Sequence, residues 1–338
     1  MMAWTNRPYR RMMRRLTRRT LLYTEMVTTG ALLHGDAERH LDHHPDEHPV
    51  ALQLGGDQPE ELAEATRMAD AAGFDEINLN VGCPSDRVQR GRFGACLMAE
   101  PEAVYAMVAA MKAATAKPVT VKHRLGIDHQ DDYDDMLNFV DTVGPAGADR
   151  FTVHARKAWL QGLSPKENRN IPPLRHDLIH RLKRERPNLQ IEINGGIREL
   201  ASAQDHLHHV DAVMIGRAAY ERPTDLMAAD PLLFGEAAAP HATPRQLLDA
   251  LAELVADEVQ HGTAVPVMLQ PMLGLFRGQP GARRWRHVLG EEGRTARDPV
   301  AVLKKAAENL QGEWLDRPLV AASSTPVPAS VAAAHPPG

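Results

Sequence analysis

One thiol, one lysine, one histidine and two glycine-rich turns stand out because each closes a short apolar run. Cys83 lies between Gly82 and Pro84 at the end of Asn78-Leu79-Asn80-Val81. A thiol in a glycine- and proline-built turn can donate a proton or act as a nucleophile, or it can serve as small apolar filler. Lys122 ends a run beginning at Val119. A lysine facing inward there pairs with a nearby acid or stabilises negative charge on a bound cofactor, such as a reduced flavin. Gln53 and Asn194 end two further runs and offer amide hydrogen bonds to the same ring. His154 ends another, and as base, substrate donor or structural histidine its role stays open. Gly195-Gly196 and Gly216-Arg217 close the last two runs. Glycines there let backbone N–H groups approach a phosphate, and the arginine adds a permanent cation. Two tight turns would also explain them.

The elements that must position these residues follow from periodicity. Strands are expected at 21–27, 50–54, 76–80, 119–124, 150–154, 190–193 and 212–215. Helical patterns intervene at 60–72, 101–114, 132–143 and 174–184. Such alternation over about 200 residues points to a parallel sheet, and seven βα units approach a (β/α)8 barrel, whose chemistry gathers where strands end. After Pro240 the pattern is helical, at 244–261, 265–275 and 298–310. We therefore expect a catalytic barrel over 1–238, a helical domain over 239–316 and a disordered Pro/Ala-rich tail over 317–338.

Composition narrows the classes. At 338 residues and a net charge of −5 the chain has ample core and is not globally basic, so nucleic-acid contact must be local. Two cysteines exclude a disulfide framework and a four-cysteine zinc site. No apolar run reaches membrane-spanning length and no secretory signal is visible, so a cytoplasmic protein without a membrane partner is expected. His34, His40, His43, His44 and His48 cluster with five acids, but their spacing matches no metal motif; the expectation is a hydrophilic loop and no metal.

Two basic segments are candidate surfaces. Residues 1–24 hold seven arginines and no acid, with Met12, Met13 and Leu16 on one stripe. A solvated helix, a phosphate-facing helix and a transit peptide all fit. Residues 259–290 also lack any acid and carry Arg277, Arg283, Arg284 and Arg286 with Phe276 and Trp285 interleaved, a pattern suited to RNA backbone and base contacts. Lys166 and Arg169 add charge after the 150–154 strand.

The motif Leu79-Asn80-Val81-Gly82-Cys83-Pro84-Ser85, followed by Gly94-Ala95-Cys96-Leu97-Met98, is similar to that of the tRNA-dihydrouridine synthases. The stretch from Val153 to Arg169 resembles their A-type subfamily, and the likeness runs over residues 1–316. It implies an FMN-dependent (β/α)8 barrel with a C-terminal helical tRNA-binding domain. A monomer is expected. The implied reaction is NADPH-driven reduction of the uridine C5–C6 double bond in the tRNA D-loop, at positions 20 and 20a. By position, Cys83 would be the proton donor to C5. Met1, Met2, Gln53, Lys122, His154, Asn194, Gly195, Gly196, Gly216 and Arg217 would hold FMN. Asn80, Lys166, Arg169, Arg283 and Arg286 would contact tRNA. Family members open with a strand ending in a Pro-Met-Met-Asp-like motif, whereas this chain starts Met1-Met2-Ala3. The expectation is a barrel truncated before its second strand, with an inactive tRNA-binding remnant as one rival reading. A flavin barrel reducing a small pyrimidine or enone is the other.

Overall fold

A computed structural model describes residues 1–318. The expected disordered tail lies, apart from Arg317 and Pro318, outside the described residues. Seven parallel strands form one sheet in sequential order: β1 (Leu22–Thr28), β2 (Val50–Gly55), β3 (Glu76–Val81), β4 (Val119–Arg124), β5 (Arg150–His154), β6 (Ile191–Asn194) and β7 (Ala212–Met214). Among the described residues β1 and β7 are the two edges. The sheet is curled into barrel form. In a flat sheet β1 and β5 would stand roughly 19 Å apart at about 4.8 Å per strand. Yet Arg150 Nη2 on β5 donates to Tyr23 Oη on β1 at 3.0 Å.

Alternation along each strand separates two faces. Leu52, Leu54, Ile77, Leu79, Val119, Val121, Phe151, Val153, Ile191 and Ile193 face outward and are fully buried. They lie under the helices Pro59–Ala71, Pro101–Ala114, Tyr133–Val143 and His176–Glu185. The inward rows are polar: Gln53 on β2, Asn78 and Asn80 on β3, Thr120 and Lys122 on β4, Thr152 and His154 on β5, Glu192 and Asn194 on β6. At the lower end Glu76 and Arg150 form a buried ion pair at 2.6 Å. The upper end carries the chemistry.

A second apolar cluster joins the C-terminal helices Pro244–Gln260, Ala282–Glu291 and Pro299–Ala307. The expected helix over 265–275 divides into Val265–Leu269 and a 3-10 turn, Gln270–Gly274. Pro271 has no N–H to continue the ladder.

The N-terminal basic segment corrects all three readings. Arg7–Leu16 is a helix capped by Asn6, and Tyr9, Met12, Met13 and Leu16 bury its apolar stripe in the second cluster. Arg10 donates to buried Glu47, and Arg11 to Asp257 and Glu258. Arg14 donates to the carbonyls of Thr17, Thr20, Glu47 and Pro49 at 2.8–3.0 Å. Burial pushes its guanidinium down to about 10. These arginines are internal, because a helix packed on both sides must pair every charge it buries. The histidine- and acid-rich segment supplies the partners: Asp42 binds Arg7, Asp46 binds Arg11 and Arg15, and Glu47 binds Arg10. It is therefore no free hydrophilic loop, and no group of three or more metal-ligating side chains forms among the described residues. No helix among them is long and apolar enough to cross a membrane.

Candidate active site

Parallel pairing brings the strand ends level. Asn80 sits opposite Lys122, Arg124 opposite His154, and His154 opposite Asn194. An amide chain runs across this end. Asn80 Nδ2 donates to Gln53 Oε1 at 2.8 Å, Gln53 Nε2 to Asn78 Oδ1 at 2.9 Å, and Asn78 Nδ2 to Thr120 Oγ1 at 2.8 Å. Gln53 keeps one N–H and one lone pair for a ligand.

Asn80 also builds the cysteine turn. Its Oδ1 accepts from the amides of Gly82 and Cys83, both at 3.0 Å. The half-buried Cys83 Sγ lies 3.7 Å from Ser85 Oγ. Cys96, also half-buried, donates from Sγ to Phe93 O at 3.2 Å.

Lys122 Nζ donates to Asn194 Oδ1 at 3.2 Å, and Asn194 Nδ2 to Met214 O at 2.8 Å. Burial, and then the Arg124 charge, push the Lys122 ammonium down to about 8. His154 is held well below 6.5 by burial and by Arg124, Lys122, Arg156 and Arg217, so its ring is neutral. Its Nδ1 is buried without a hydrogen-bond partner. Gly195 has φ of +112° and Gly196 +75°. A Cβ on Gly195 would meet the His154 ring at 3.1 Å, and one on Gly196 would meet Leu174 at 2.5 Å, so only glycine fits this cradle. Met1 reaches the same end, its Sδ 3.9 Å from a Cβ built on Gly216, whereas Met2 is 62% exposed.

Charge defines the site. Lys122, Arg124, Arg156, Arg169 and Arg217 gather at this end, and among the described residues none forms an ion pair with a carboxylate. Arg217 instead donates to Asn170 Oδ1 at 2.8 Å and to Arg169 O at 3.3 Å. Unpaired cations, a neutral histidine with a free ring nitrogen and a glycine cradle fit an anionic, aromatic cofactor bearing a phosphate.

The chain matches the family model described as dihydrouridine synthase over residues 1–311. The chain belongs to the dihydrouridine synthase family. Similar proteins named tRNA-dihydrouridine(20/20a) synthase occur in Synechocystis, 53% identical over 86% of this chain and 87% of the relative. Others occur in Shewanella oneidensis, 50% identical over 92% of each chain, and in Pseudomonas putida, 52% identical over 92% and 93%. As a dihydrouridine synthase family member, the protein is an oxidoreductase with a barrel fold.

Outside the barrel mouth, Arg277, Arg283 and Arg284 are exposed, Arg286 is half-buried and Lys166 is exposed. Phe276 and Trp285 are not surface platforms. They meet edge-to-face at 5.2 Å in the helical core, and Trp285 Nε1 donates to Met272 O at 3.0 Å. The same helix turn that exposes Arg283, Arg284 and His287 turns Trp285 and Val288 inward. Two residues escaped sequence reasoning, Arg124 and Gln89. Their partners are backbone carbonyls of distant loops, which no motif encodes.

Proposed function

We propose that this enzyme reduces a uridine of tRNA to 5,6-dihydrouridine in the cytoplasm, at D-loop positions 20 and 20a. FMN is its bound cofactor and NADPH its reductant. The observation that carries the reading is a cysteine turn set beside a cationic, carboxylate-poor strand end that fits a phosphate-bearing ring. Gln53, Lys122, His154 and Asn194 would hold the flavin ring, with Met1 and Met2 at its margin. Gly195, Gly196, Gly216 and Arg217 would take the phosphate.

Reducing a C5–C6 double bond adds a hydride to one carbon and a proton to the other. A bound FMN supplies hydride chemistry. The chain supplies the proton, held on Cys83 Sγ and delivered to uracil C5. The thiolate left behind regains its proton from solvent. Asn80 orients the thiol through the two amides it caps. The target base must leave its stack to reach this depth. Lys166, Arg169, Arg283 and Arg286 hold the RNA backbone outside, where phosphate neutralisation drives binding. Residues 1–238 serve catalysis, with Lys166 and Arg169 also reaching the tRNA, and 239–316 serve tRNA binding.

The test is dihydrouridine formation on unmodified tRNA, read by nucleoside mass spectrometry, for the wild-type chain and Cys83→Ala. The variant is expected to keep flavin and oxidise NADPH, but to form dihydrouridine at least about a hundredfold more slowly. Near-wild-type turnover would remove Cys83 from its role. Equal activity on free uridine would remove tRNA as substrate.

A further inference from the structure

The turn that carries Cys83 is fastened to a second loop by two side chains. Arg124, 5% exposed at the end of β4, donates from Nε to Gly82 O at 2.8 Å. From Nη1 it donates to Lys157 O at 3.0 Å and Asn168 O at 3.2 Å. Gln89 Nε2 donates to Pro84 O at 3.0 Å and to Leu160 O at 2.7 Å. The carbonyls on either side of Cys83 are therefore both held, each by a side chain that also grips the loop over 157–170. That loop is a folded unit wound around the fully buried Asn168. Asn168 Oδ1 accepts from Trp159 N at 2.8 Å, and its Nδ2 donates to Trp159 O at 2.9 Å and Leu163 O at 3.1 Å. Exposed on the same loop are Lys166 and Arg169.

We propose that Arg124 and Gln89 are positioning residues for Cys83, and that RNA held by Lys166 and Arg169 fixes the thiol through them. The inference rests on the proposed tRNA reduction. Its physical basis is rigidity. Five hydrogen bonds from two side chains tie the cysteine turn to the loop, and Asn80 ties the turn to β3. A guanidinium presents Nε and Nη1 in one rigid plane and so holds carbonyls of two segments in a fixed geometry, which the freely rotating ammonium of a lysine does not. When phosphates engage the loop, its freedom falls, and the turn that shares its fastenings loses freedom with it. Proton delivery demands placement of the thiol within a fraction of an ångström, so this order is expressed as rate.

The decisive variant is Gln89→Glu, which keeps the shape of a half-buried side chain and removes both donated bonds. Steady-state kinetics on tRNA are expected to show kcat at least about tenfold lower, with the tRNA Kd within about twofold of wild type. Arg124→Lys is expected to behave the same way. The second measurement is the iodoacetamide alkylation rate of Cys83 in flavin-loaded protein, with and without tRNA, the adduct located by peptide mass spectrometry. Shielding by the inserted base is common to both proteins, and RNA is expected to change the rate at least several-fold more in the wild type than in Gln89→Glu. Unchanged kcat in Gln89→Glu overturns the proposal, as does a parallel loss of tRNA affinity that accounts for the whole effect. An RNA response of Cys83 equal to wild type also overturns it. If Arg124→Lys does not fold, Gln89→Glu still decides. Failure of the functional reading shows separately, as a wild-type protein that forms no dihydrouridine.

Discussion

Replacing Lys122 by methionine should make the flavin-free protein more stable and the flavin-bound complex weaker. The lysine faces the barrel interior with Asn194 as its one side-chain hydrogen-bond partner among the described residues, and burial with Arg124 pushes it from 10.5 to about 8. The folded value lies below the unfolded one, so between those limits the unfolded chain binds more protons. Stability then rises as pH climbs through that window and carries its full penalty below about pH 8. At about 1.4 kcal/mol per pH unit the penalty reaches about 3 kcal/mol for a sealed group. Solvent reaches part of the Lys122 side chain, which trims the expectation to about 1–2 kcal/mol. Methionine keeps the length and removes the charge. At pH 7 the flavin-stripped Lys122→Met protein should therefore resist urea better by that amount. The advantage should shrink to nothing as pH passes 10.5, where the wild-type amine is neutral in both states. Flavin affinity, followed by fluorescence quenching, should fall at least about tenfold, the scale of one lost charge-assisted hydrogen bond. A variant less stable at pH 7, or an advantage that stays flat with pH, would show that Lys122 is not an uncompensated cation. A more stable variant that binds flavin normally would show that it does not face the cofactor.

The exposed arginines and the buried ones should respond in opposite ways. Arg283→Ala with Arg286→Ala should weaken tRNA binding and flatten log K against log salt by about one to two, since each lost phosphate contact contributes about 0.7–0.9. Flavin content should stay the same, and an unaltered slope would take both residues off the RNA surface. Glu47→Gln leaves Arg10 buried without its anion and should cost about 3 kcal/mol in urea titrations. Glu64→Gln breaks an exposed pair with Arg67 and should cost less than about 1 kcal/mol. Equal losses in the two would mean that the N-terminal helix is not held by its buried charges.

Strand ends and their order were legible in the sequence because both are local. The alternation Glu76, Asn78, Asn80 against Ile77, Leu79, Val81 is written residue by residue, and the pleat converts it directly into an inner and an outer face. Parallel strands in sequential order then bring Gln53, Asn80, Lys122, His154 and Asn194 to one end without further information. The seven arginines near the N-terminus were equally visible, but their meaning was not. The carboxylate partners of Arg7, Arg10, Arg11, Arg15 and Arg19 lie 31 to 251 residues away, so charge content alone could not separate a solvated face from a buried one. Phe276, in the turn before the helix Ala282–Glu291, and Trp285 on that helix posed the same problem, since an aromatic beside arginines reads as a platform until packing turns it inward.

The sequence by itself determined the elements, the polar ends of the strands and the cysteine turn, because periodicity and turn chemistry act over a few residues. Only the tertiary structure decided which charges stay unpaired. Among the described residues it leaves Lys122, Arg156 and Arg217 without a carboxylate at the barrel mouth while Arg10 and Arg11 are neutralised in the interior. It also decided that Arg124 and Gln89 bind the cysteine turn to the loop over 157–170. A charge or an amide carries no record in the chain of which distant carbonyl or carboxylate the fold will bring within 3 Å of it.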